Sequence, residues 1–333
     1  MKFLIIGLGS MGKRRIRNLQ ALSENDIIGF DIEEDKRKET EYKYKIKTFP
    51  KIEKALKEKP DVFIISTPPH LHYQYADIAI KNNTPFFMEL NLISEGLKEI
   101  IDKGTEKGIL MAASCDMRYI ESIKRIKEFI KSGKVGQVTS FTYHVGQYLP
   151  DWHPWEDYRK FFGAREDTNA CREIIPGELN WLQSIFGNVT SVMGLKGKFS
   201  DLEIKVPDTY QIIMKFNNLL GHYLVDVVSR FPYRKIRIIG TQGTIVWDHG
   251  KKLVRVYSAE KKEWEDFPEK EGNIEKGYLH KEEPYIEEIR NFISALKKEK
   301  EYPYPLSEDL ETLKVLDAIE ESTQTKKEVN IEH

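Results

Sequence analysis

The sequence predicts an α/β protein, with a doubly wound parallel sheet first and a large, open, mainly antiparallel sheet after it. Two observations predict this fold class. Short apolar runs alternate with amphipathic helical stretches as far as Ser114, and longer β-like segments dominate from residue 137 onward. Strand–helix alternation at this spacing favours a parallel sheet with right-handed crossovers. We therefore predict one domain over residues 1–117 and a second, also α/β, over residues 118–333.

Apolar runs mark the predicted strands of the first domain, as is typical of parallel strands that are buried on both faces. These strands are KFLIIG, DIIGFD, DVFIIST, TPFFME and ILMAAS. Amphipathic stretches between them predict the helices KRRIRNLQALS, KIEKALKEK, HLHYQYADIAIKNN and SEGLKEIIDKGTEKG. One further helix is expected over residues 118–132.

Longer β-like segments predict the sheet of the second domain, among them QVTSFTYHVGQYL, DTYQIIMKF and GHYLVDVVSRF. An aromatic-rich loop over 148–162 and a helix over 172–186 interrupt them, and two helices near 281–297 and 307–322 close the chain. Several segments carry apolar residues at both parities, so each face of the sheet needs cover. We therefore expect a homodimer or homotetramer that buries the outer face of this sheet.

The composition argues against several classes of partner. The 52 Lys and Arg residues nearly balance the 53 Asp and Glu residues, so no net field attracts nucleic acid or an anionic membrane. No stretch approaches the roughly 18 apolar residues of a membrane span, and the N-terminal apolar run is too short for a signal peptide. Cys115 and Cys171 lie far apart, which indicates a reducing compartment, and we expect a cytoplasmic protein. His70 and His72 have no companion carboxylate or cysteine cluster, so no metal site is expected.

The segment KFLIIGLGSMGKRRIRNL contains the pattern G-x-G-x-x-G between a predicted strand and a predicted helix. In such a turn Gly7 permits the tight bend, Gly9 lets the backbone approach a pyrophosphate, and Gly12 allows close packing of helix on strand. Ser10 and Met11 lie in the same turn, where the helix N-terminus faces the phosphates. The sequence therefore predicts a dinucleotide-binding Rossmann domain.

Asp31 ends the second predicted strand, about 20 residues after the glycines, where a carboxylate accepts hydrogen bonds from a ribose hydroxyl. The same carboxylate would repel a 2′-phosphate, so NAD is expected rather than NADP. A solvated acidic loop, DIEEDKRKE, is the alternative interpretation of this segment.

The segment VFIISTPPHLHYQYADIAIKNNTPFFMELNLI resembles part of the glucose–fructose oxidoreductase, inositol dehydrogenase and MocA (Gfo/Idh/MocA) family of NAD(P)-dependent sugar and polyol oxidoreductases. The family pattern is a strand, T-P-x-x-x-H, a helix, a second strand and E-K-P. This chain supplies Thr67 to His72 and then Glu89, Leu90 and Asn91. Further matches are CDMRYIESIKRIKEFIKSGKVGQV, DYRKFFGA, ELNWLQSIFG and RIIGTQGTIVWD, so the resemblance spans nearly the whole chain.

The resemblance implies a Rossmann domain followed by an α/β domain whose open sheet supports an active-site cleft and often buries its other face in a dimer or tetramer. It implies that Ser66, Thr67, Pro68 and His72 lie at the cofactor. It also places Glu89 at the end of a sheet strand, beside the nicotinamide ribose.

Two parts of the usual family active site differ in this chain. Leu90 replaces the lysine that hydrogen-bonds the reacting hydroxyl, and Asn91 replaces the following proline. Glu173 and Gly177 stand where the family commonly carries the aspartate and histidine of D-x-x-x-H. Losing a general base typically costs about 10²–10⁴ in rate. Either other residues have taken over the proton handling, or the protein no longer carries out redox chemistry.

The loop GQYLPDWHPWEDYRKFF resembles the loop that lines the sugar pocket in family members from glycan and nucleotide-sugar pathways. Trp152 and Trp155 could stack on a sugar or base, Tyr158 could assist catalysis or place the substrate, and His153 could act as acid or base. Arg159 could pair with a phosphate or carboxylate. Packing of this loop between domains is the alternative interpretation.

Glu173 is a candidate general base if desolvation raises its pKa. It could instead be a carboxylate favoured by the helix N-terminus, or the ion-pair partner of Arg118 or Arg159. Arg118 is also a candidate for substrate binding. We expect an NAD-dependent oxidoreductase that acts on a sugar or nucleotide-sugar hydroxyl or its keto form. A lapsed enzyme that binds NAD and a sugar and regulates a partner is one alternative, and an enzyme using NAD without net redox change is another.

Overall fold

The computed structural model describes residues 1–152, 157–160, 162–165, 168–276 and 281–333. These residues form two compact units. The first unit comprises Met1–Tyr119 and Gly272–Leu310, and the second comprises Ile120–Glu271 and Glu311–His333. Among the described residues, no helix combines the length and the apolar character that crossing a bilayer requires.

The strands of the described residues fall into two sheets. In chain order they are β1 (Phe3–Ile6), β2 (Ile27–Phe30), β3 (Lys47–Phe49), β4 (Val62–Ile65), β5 (Phe86–Met88), β6 (Met111–Ala113), β7 (Val138–Tyr148), β8 (Val189–Gly197), β9 (Thr209–Phe216), β10 (Leu220–Asp226), β11 (Val228–Gly240), β12 (Gly243–Asp248), β13 (Leu253–Ser258), β14 (Glu263–Pro268) and β15 (Val329–Asn330).

The helices lie between and around these strands. In chain order they are α1 (Ser10–Ala21), α2 (Glu34–Tyr44), α3 (Ile52–Leu56), α4 (His72–Lys81), α5 (Leu97–Glu106), α6 (Glu121–Lys131), α7 (Ala170–Phe186), α8 (Glu283–Leu296) and α9 (Leu306–Thr325).

The first unit contains a parallel sheet in the order β3-β2-β1-β4-β5-β6. Every residue of β1, β2, β4 and β5 is buried, because the helices that connect parallel strands cover both faces of such a sheet. The unbroken apolar runs of the sequence therefore correspond to central strands. The predicted doubly wound parallel sheet is confirmed.

Two elements of this unit were not predicted from the sequence. The edge strand β3 has three residues, of which only Phe49 is buried. Helix α2 buries only Thr40 and Tyr44, so no apolar stripe marks it in the sequence. It is stabilised instead by side-chain pairs at helical spacing, such as the 2.7 Å pair between Glu34 and Lys38.

Residues 272–310 belong to the first unit, whereas the predicted boundary near residue 117 placed them in the second domain. Ile289 and Phe292 of α8 are fully buried, and Glu288 of the same helix forms a salt bridge with Arg15 of α1. The carbonyl of Tyr304 accepts a hydrogen bond from the backbone of β6. An apolar stripe predicts a helix but does not identify the surface that the helix covers, so the sequence pattern could not assign α8.

The second unit contains a sheet in the order β14-β13-β12-β11-β7-β10-β9-β8-β15. Only β7 and β10 pair in parallel among the described pairs of this sheet, so the predicted, mainly antiparallel sheet is confirmed. Helix α7 packs on one face. There the rings of Phe141 and Phe186 stack at 4.8 Å, and Trp181 lies edge-on to Tyr143 at 5.4 Å.

The opposite face of this sheet carries exposed apolar side chains, and we call this set the open face. The register places them together, because Met193 pairs with Ile213 and because Leu220 and Ile239 both pair with Ser140. Their exposed fractions lie between 37% and 61%. The members of the open face are Met193, Leu195, Ile213, Leu220 and Ile239.

Candidate functional site

The glycine turn between β1 and α1 has the shape that a dinucleotide requires. Gly7 has a φ of +92°, and a Cβ there would lie 2.7 Å from the Ser66 carbonyl oxygen. A Cβ at Gly12 would lie 1.9 Å from the Gly7 carbonyl oxygen. At Gly9 a Cβ would meet none of the described atoms within 4 Å, so this side of the turn is open to a ligand. Gly7 and Gly12 are therefore required by close contacts with the protein's own backbone, whereas Gly9 leaves room for a pyrophosphate.

Helix α1 begins at Ser10 and Met11, directly after the open side of the turn. Gly9 is its N-cap residue, and no side chain caps this helix end. The helix dipole favours an anion at this end of the helix. These features fit a dinucleotide pyrophosphate.

Asp31 links the end of β2 to the glycine turn. Its carboxylate is buried and accepts hydrogen bonds from Leu8 N at 2.8 Å and from Glu33 N at 2.9 Å. Each oxygen retains a further lone pair, which a ribose hydroxyl can use. The sequence suggested the ribose contact, and the structure adds that the same side chain holds the turn.

Strand β4 ends in the segment that carries Ser66, Thr67 and Pro68. The Ser66 backbone donates a hydrogen bond to β1, which keeps this segment beside the glycine turn. A short 3₁₀ helix, Pro69–Leu71, then leads into α4. His72 opens α4, and its Nε2 lies 2.8 Å from the Thr67 carbonyl oxygen. The predicted cofactor residues thus gather at the carboxyl edge of the parallel sheet, where ligands of such folds bind.

Glu89 follows β5 and is held by Arg15, a residue that the sequence analysis missed. Arg15 Nε and Nη2 donate to the two Glu89 oxygens at 2.6 and 2.8 Å, and Ser66 Oγ donates to Oε1 at 3.1 Å. Arg15 is completely buried, and its Nη1 donates to Glu288 at 2.6 Å. Both oxygens of the Glu89 carboxylate therefore already accept hydrogen bonds from side chains of the same protein. The signal for Arg15 was its place on α1, three residues after Gly12, on the face that turns inward.

Glu288 is the second carboxylate on Arg15. Burial raises its pKa to about 7, against the opposing effect of the Arg15 charge. It also accepts hydrogen bonds from Ser114 Oγ at 3.1 Å and from the Cys115 backbone. One guanidinium thus holds together helix α1, the end of β5 and helix α8.

The predicted substrate-binding residues that the structure describes form hydrogen bonds or salt bridges with other residues of the protein. In the first unit, Arg118 Nη2 donates to Glu308 at 2.6 Å. In the second unit, the exposed Arg159 forms salt bridges with Asp157 at 2.8 Å and with Glu203 at 2.6 Å. Tyr158 Oη accepts a hydrogen bond from the backbone of Glu203 at 3.2 Å.

Three predicted residues belong to the aromatic-rich loop. Trp152 is half-buried, and its backbone N–H donates to the Leu149 carbonyl at 3.1 Å. His153 and Trp155 lie outside the described residues.

Glu173 lies in the first turn of α7, where Asn169 caps the helix by accepting a hydrogen bond from Cys171 N at 3.0 Å. The Glu173 Oε2 atom is buried and has no hydrogen-bond partner among the described residues. Burial raises the pKa of this carboxyl to about 8. Arg159 pairs with Asp157 and Glu203, so the ion pair with Glu173 that the sequence left open is not formed within the second unit.

These features define a class of protein: an NAD-binding oxidoreductase built from a Rossmann domain and an α/β domain. The chain belongs to the Gfo/Idh/MocA oxidoreductase family. Residues 1–114 match its domain described as "Oxidoreductase family, NAD-binding Rossmann fold", and residues 127–331 match "Oxidoreductase family, C-terminal alpha/beta domain".

Several solved structures share this fold. A levoglucosan dehydrogenase in complex with NADH and levoglucosan has a TM-score of 0.86 at 17% identity, with 100% of both chains covered. An oxidoreductase from Agrobacterium radiobacter in complex with NAD⁺, L-tartaric acid and magnesium has a TM-score of 0.84 at 16% identity, with 99% of this chain and 98% of that chain covered. The WlbA dehydrogenase from Bordetella pertussis, in complex with NADH and UDP-GlcNAcA, has a TM-score of 0.79 at 16% identity, with 100% and 99% covered.

The sequence is also similar to that of a fungal protein. An uncharacterized oxidoreductase of Schizosaccharomyces pombe is 24% identical over 195 residues, which cover 55% of this chain and 50% of the yeast protein. The matching region thus spans half of the length of that relative.

We predict that the protein binds NAD at least about tenfold more tightly than NADP, because the Asp31 carboxylate repels a 2′-phosphate. Isothermal titration calorimetry with each cofactor measures the two affinities. Asp31→Ser should lower the ratio of NAD affinity to NADP affinity. Asp102→Ser, at an exposed carboxylate of α5, should leave this ratio unchanged. Equal affinities in the wild-type protein would contradict this role of Asp31.

We predict that Arg15→Met destabilises the protein by about 3–5 kcal/mol, because it leaves the buried carboxylates of Glu89 and Glu288 without their counter-charge. Urea denaturation measures the free energy of unfolding. Lys38→Met, which breaks an exposed helix pair, is the matched control and should change little. A similar small effect at Arg15 would show that the buried network does not hold the unit together.

Proposed function

We propose that the protein is an NAD-dependent dehydrogenase or reductase that acts on a hydroxyl or keto carbon of a sugar or nucleotide sugar. Membership of the family and the NAD-binding domain support the redox class. Structures of similar fold hold levoglucosan in one case and UDP-GlcNAcA in another, which supports the substrate class. Bound NAD supplies the hydride acceptor or donor for this reaction.

The observation that carries the proposal is the buried Glu173 carboxyl. Its Oε2 has no hydrogen-bond partner among the described residues, and desolvation raises the pKa of the group to about 8. A carboxyl in this state is suited to exchange a proton near neutral pH, as a general base or acid must. Glu89 is bonded to Arg15, and Leu90 has no titratable group, so neither competes with Glu173 for this role.

In the oxidative direction, the Glu173 carboxylate would take the proton of the substrate hydroxyl, and bound NAD⁺ would accept the hydride of the same carbon. The hydroxyl becomes a carbonyl, the base becomes a carboxylic acid, and the charges balance. In the reductive direction, protonated Glu173 returns the proton to the carbonyl oxygen. Tyr158 or His153 assists the proton transfer, and Trp152, Trp155, Arg118 and Arg159 hold the sugar or its phosphates in this proposal.

We predict that kcat/KM for oxidation rises with pH to a plateau above about 8, because the base must be ionised and its pKa is about 8. Reduction should show the opposite trend, since it requires the protonated acid. Steady-state assays of NADH formation and consumption with a panel of sugars and nucleotide sugars measure both profiles.

Glu173→Gln should lower turnover by about 10²–10⁴, with NAD affinity unchanged within about twofold. Glu321→Gln, the same change at an exposed position of α9, is the matched control. If Glu173→Gln equals wild type on a substrate that turns over, Glu173 is not the base.

A binding protein without turnover is the second candidate function. Leu90 and Gly177, which stand at the positions of the family lysine and histidine, favour it. If no member of the panel turns over while NAD and a sugar both bind by calorimetry, this candidate replaces the enzyme.

We also infer that the open face of the second sheet is an interface between copies of the chain. Five apolar side chains lie there on four strands, and a patch of this kind on a sheet is typical of a protein–protein contact. A homodimer or homotetramer that buries this face satisfies the requirement for cover.

We predict that the wild-type protein is at least a dimer at micromolar concentration and that Leu195→Glu produces monomers. A charge at a buried interface position loses its hydration without gaining a partner. Light scattering measures the mass. Ile274→Glu, at an exposed apolar residue of the first unit, is the matched control and should leave the mass unchanged. A monomeric wild type would contradict the inference.

A further inference from the structure

Three polar side chains form a buried chain of contacts in the first unit. His72, Asn91 and Asp309 are 3%, 3% and 1% exposed. The His72 Nδ1 atom lies 2.6 Å from Asn91 Oδ1, and Asn91 Nδ2 lies 2.6 Å from Asp309 Oδ2. At one end, His72 Nε2 lies 2.8 Å from the Thr67 carbonyl oxygen. At the other end, Tyr304 Oη donates to Asp309 Oδ1 at 2.9 Å.

The donors and acceptors along the contacts from His72 through Asn91 to Asp309 match only if this group holds one proton more than a neutral imidazole and a carboxylate would. The Thr67 carbonyl can only accept, so His72 Nε2 carries a hydrogen. If Asn91 turns its oxygen to His72, Nδ1 must also carry a hydrogen, and the ring is an imidazolium. If the amide is rotated by 180°, its N–H donates to Nδ1 and its oxygen faces Asp309, which must then be a carboxylic acid.

Both arrangements of the amide hold the same number of protons. In the first, the additional proton lies on His72, which is an imidazolium, and Asp309 is a carboxylate. In the second, the proton lies on Asp309, which is a carboxylic acid, and His72 is neutral. Without that proton, two acceptor atoms would face each other at 2.6 Å in either arrangement. A buried contact of that kind costs the desolvation of both groups with no hydrogen bond in return.

We propose that His72 and Asp309 share one proton through the Asn91 amide, and that Asn91 and Asp309 are thereby positioning residues of the cofactor turn. The shared proton fastens the Thr67 carbonyl, which follows β4, to Asn91, which follows β5, and both to the start of α9. The proline that the family carries at position 91 has no side-chain group able to transmit such a contact.

Burial disfavours a charge at either end, so it favours the arrangement with a neutral imidazole and a carboxylic acid over the one with an imidazolium and a carboxylate. Burial lowers the pKa of His72. Its hydrogen bonds with the Asn91 side chain and the Thr67 carbonyl oppose this shift, and the charges of Glu89 and His70 act in opposite directions. Burial raises the pKa of Asp309 to about 6. The hydrogen bonds from Asn91 and Tyr304 and the Arg118 charge oppose that rise, and Glu308 adds to it.

A cavity of about 40 Å³ borders His72 and Asn91. Its lining also includes His70 and Glu95, which are exposed residues. A cavity of this size is large enough for a water molecule, which gives the shared proton a route to solvent.

The shared proton makes stability depend on pH with a definite sign. In the unfolded chain a histidine titrates near pH 6.5 and an aspartate near 3.9, so above about pH 6.5 the unfolded state holds neither proton. In the proposal the folded protein keeps one proton above this pH, beyond the pKa of about 6 that burial gives Asp309, because losing it leaves two buried acceptor atoms facing each other. Its stability therefore falls as the pH rises, until the shared proton leaves the folded protein as well.

Asp309→Asn tests the proposal because its amide can donate permanently to the Asn91 oxygen, which replaces the shared proton. The wild-type unfolding equilibrium constant, divided by that of Asp309→Asn, should rise by about tenfold per pH unit above pH 7 until the shared proton leaves. Urea denaturation of the full chain between pH 7 and 9 measures it. A ratio that is constant or falls over this range overturns the proposal. Glu311→Gln is the matched control, since Glu311 forms a partly exposed pair with His333. Its unfolding equilibrium constant should change with pH in the same way as that of the wild-type protein.

Tyr304→Phe is a second, milder variant in case Asp309→Asn does not fold. It removes a hydrogen bond that favours the Asp309 carboxylate, so the pH at which stability stops falling should move upward. An unchanged or lower pH overturns the proposal.

NAD affinity tests the positioning role, and this arm also depends on the proposed contact between the Thr67–Pro68 turn and the cofactor. Calorimetry at pH 7 and 9 should show NAD binding that weakens with pH in wild type but not in Asp309→Asn. If the stability profiles differ as expected and the affinities do not, the positioning role is overturned. Neither measurement needs turnover, so both remain valid if the protein is not an enzyme.

Discussion

The buried guanidinium of Arg15 is the interaction on which the first unit depends. It donates hydrogen bonds to both oxygens of Glu89 and to one oxygen of Glu288, and the Arg15 side chain has no exposure to solvent. A charge in such a place is stable only if its partners are present and well oriented. The helix of the glycine turn, the end of β5 and helix α8 are therefore held in place together. The residues that we predict to bind the cofactor lie at the same edge of the sheet, so their positions depend on this contact.

This arrangement also limits where the chemistry can come from. A carboxylate that neutralises a buried arginine is poorly suited to accept a substrate proton, because taking up the proton would break that ion pair and leave the buried guanidinium without its counter-charge. Glu89 is in that position, and the following Leu90 carries no proton at all. In our proposal the proton goes to Glu173 of the second unit, which has the opposite environment: it is desolvated, and its Oε2 has no hydrogen-bond partner among the described residues.

The sequence predicted the features that follow from local pattern. Continuous apolar runs identified the central strands, and the spacing of Gly7, Gly9 and Gly12 identified the nucleotide turn, because each depends on neighbouring residues. Contacts between residues far apart in the chain could not be predicted in this way. Glu288 lies 273 positions after Arg15, and Asp309 lies 218 after Asn91, and no periodicity links such pairs. The weakly apolar elements β3 and α2 were missed because neither carries an apolar stripe: β3 buries only Phe49, and α2 buries only Thr40 and Tyr44.

Most of the second unit, Ile120–Glu271, is encoded between the two segments of the first unit, and this order has a consequence for synthesis of the protein. The glycine turn and the first five helices leave the ribosome early, but Glu288 and Asp309 follow Tyr119, the end of this segment, by 169 and 190 positions. At about 5–20 residues per second, that interval lasts on the order of ten seconds. During this time Arg15 lacks one of its carboxylates, so the nascent N-terminal segment cannot complete its core. The nucleotide-binding unit, although encoded first, is therefore finished only when nearly the whole chain has emerged.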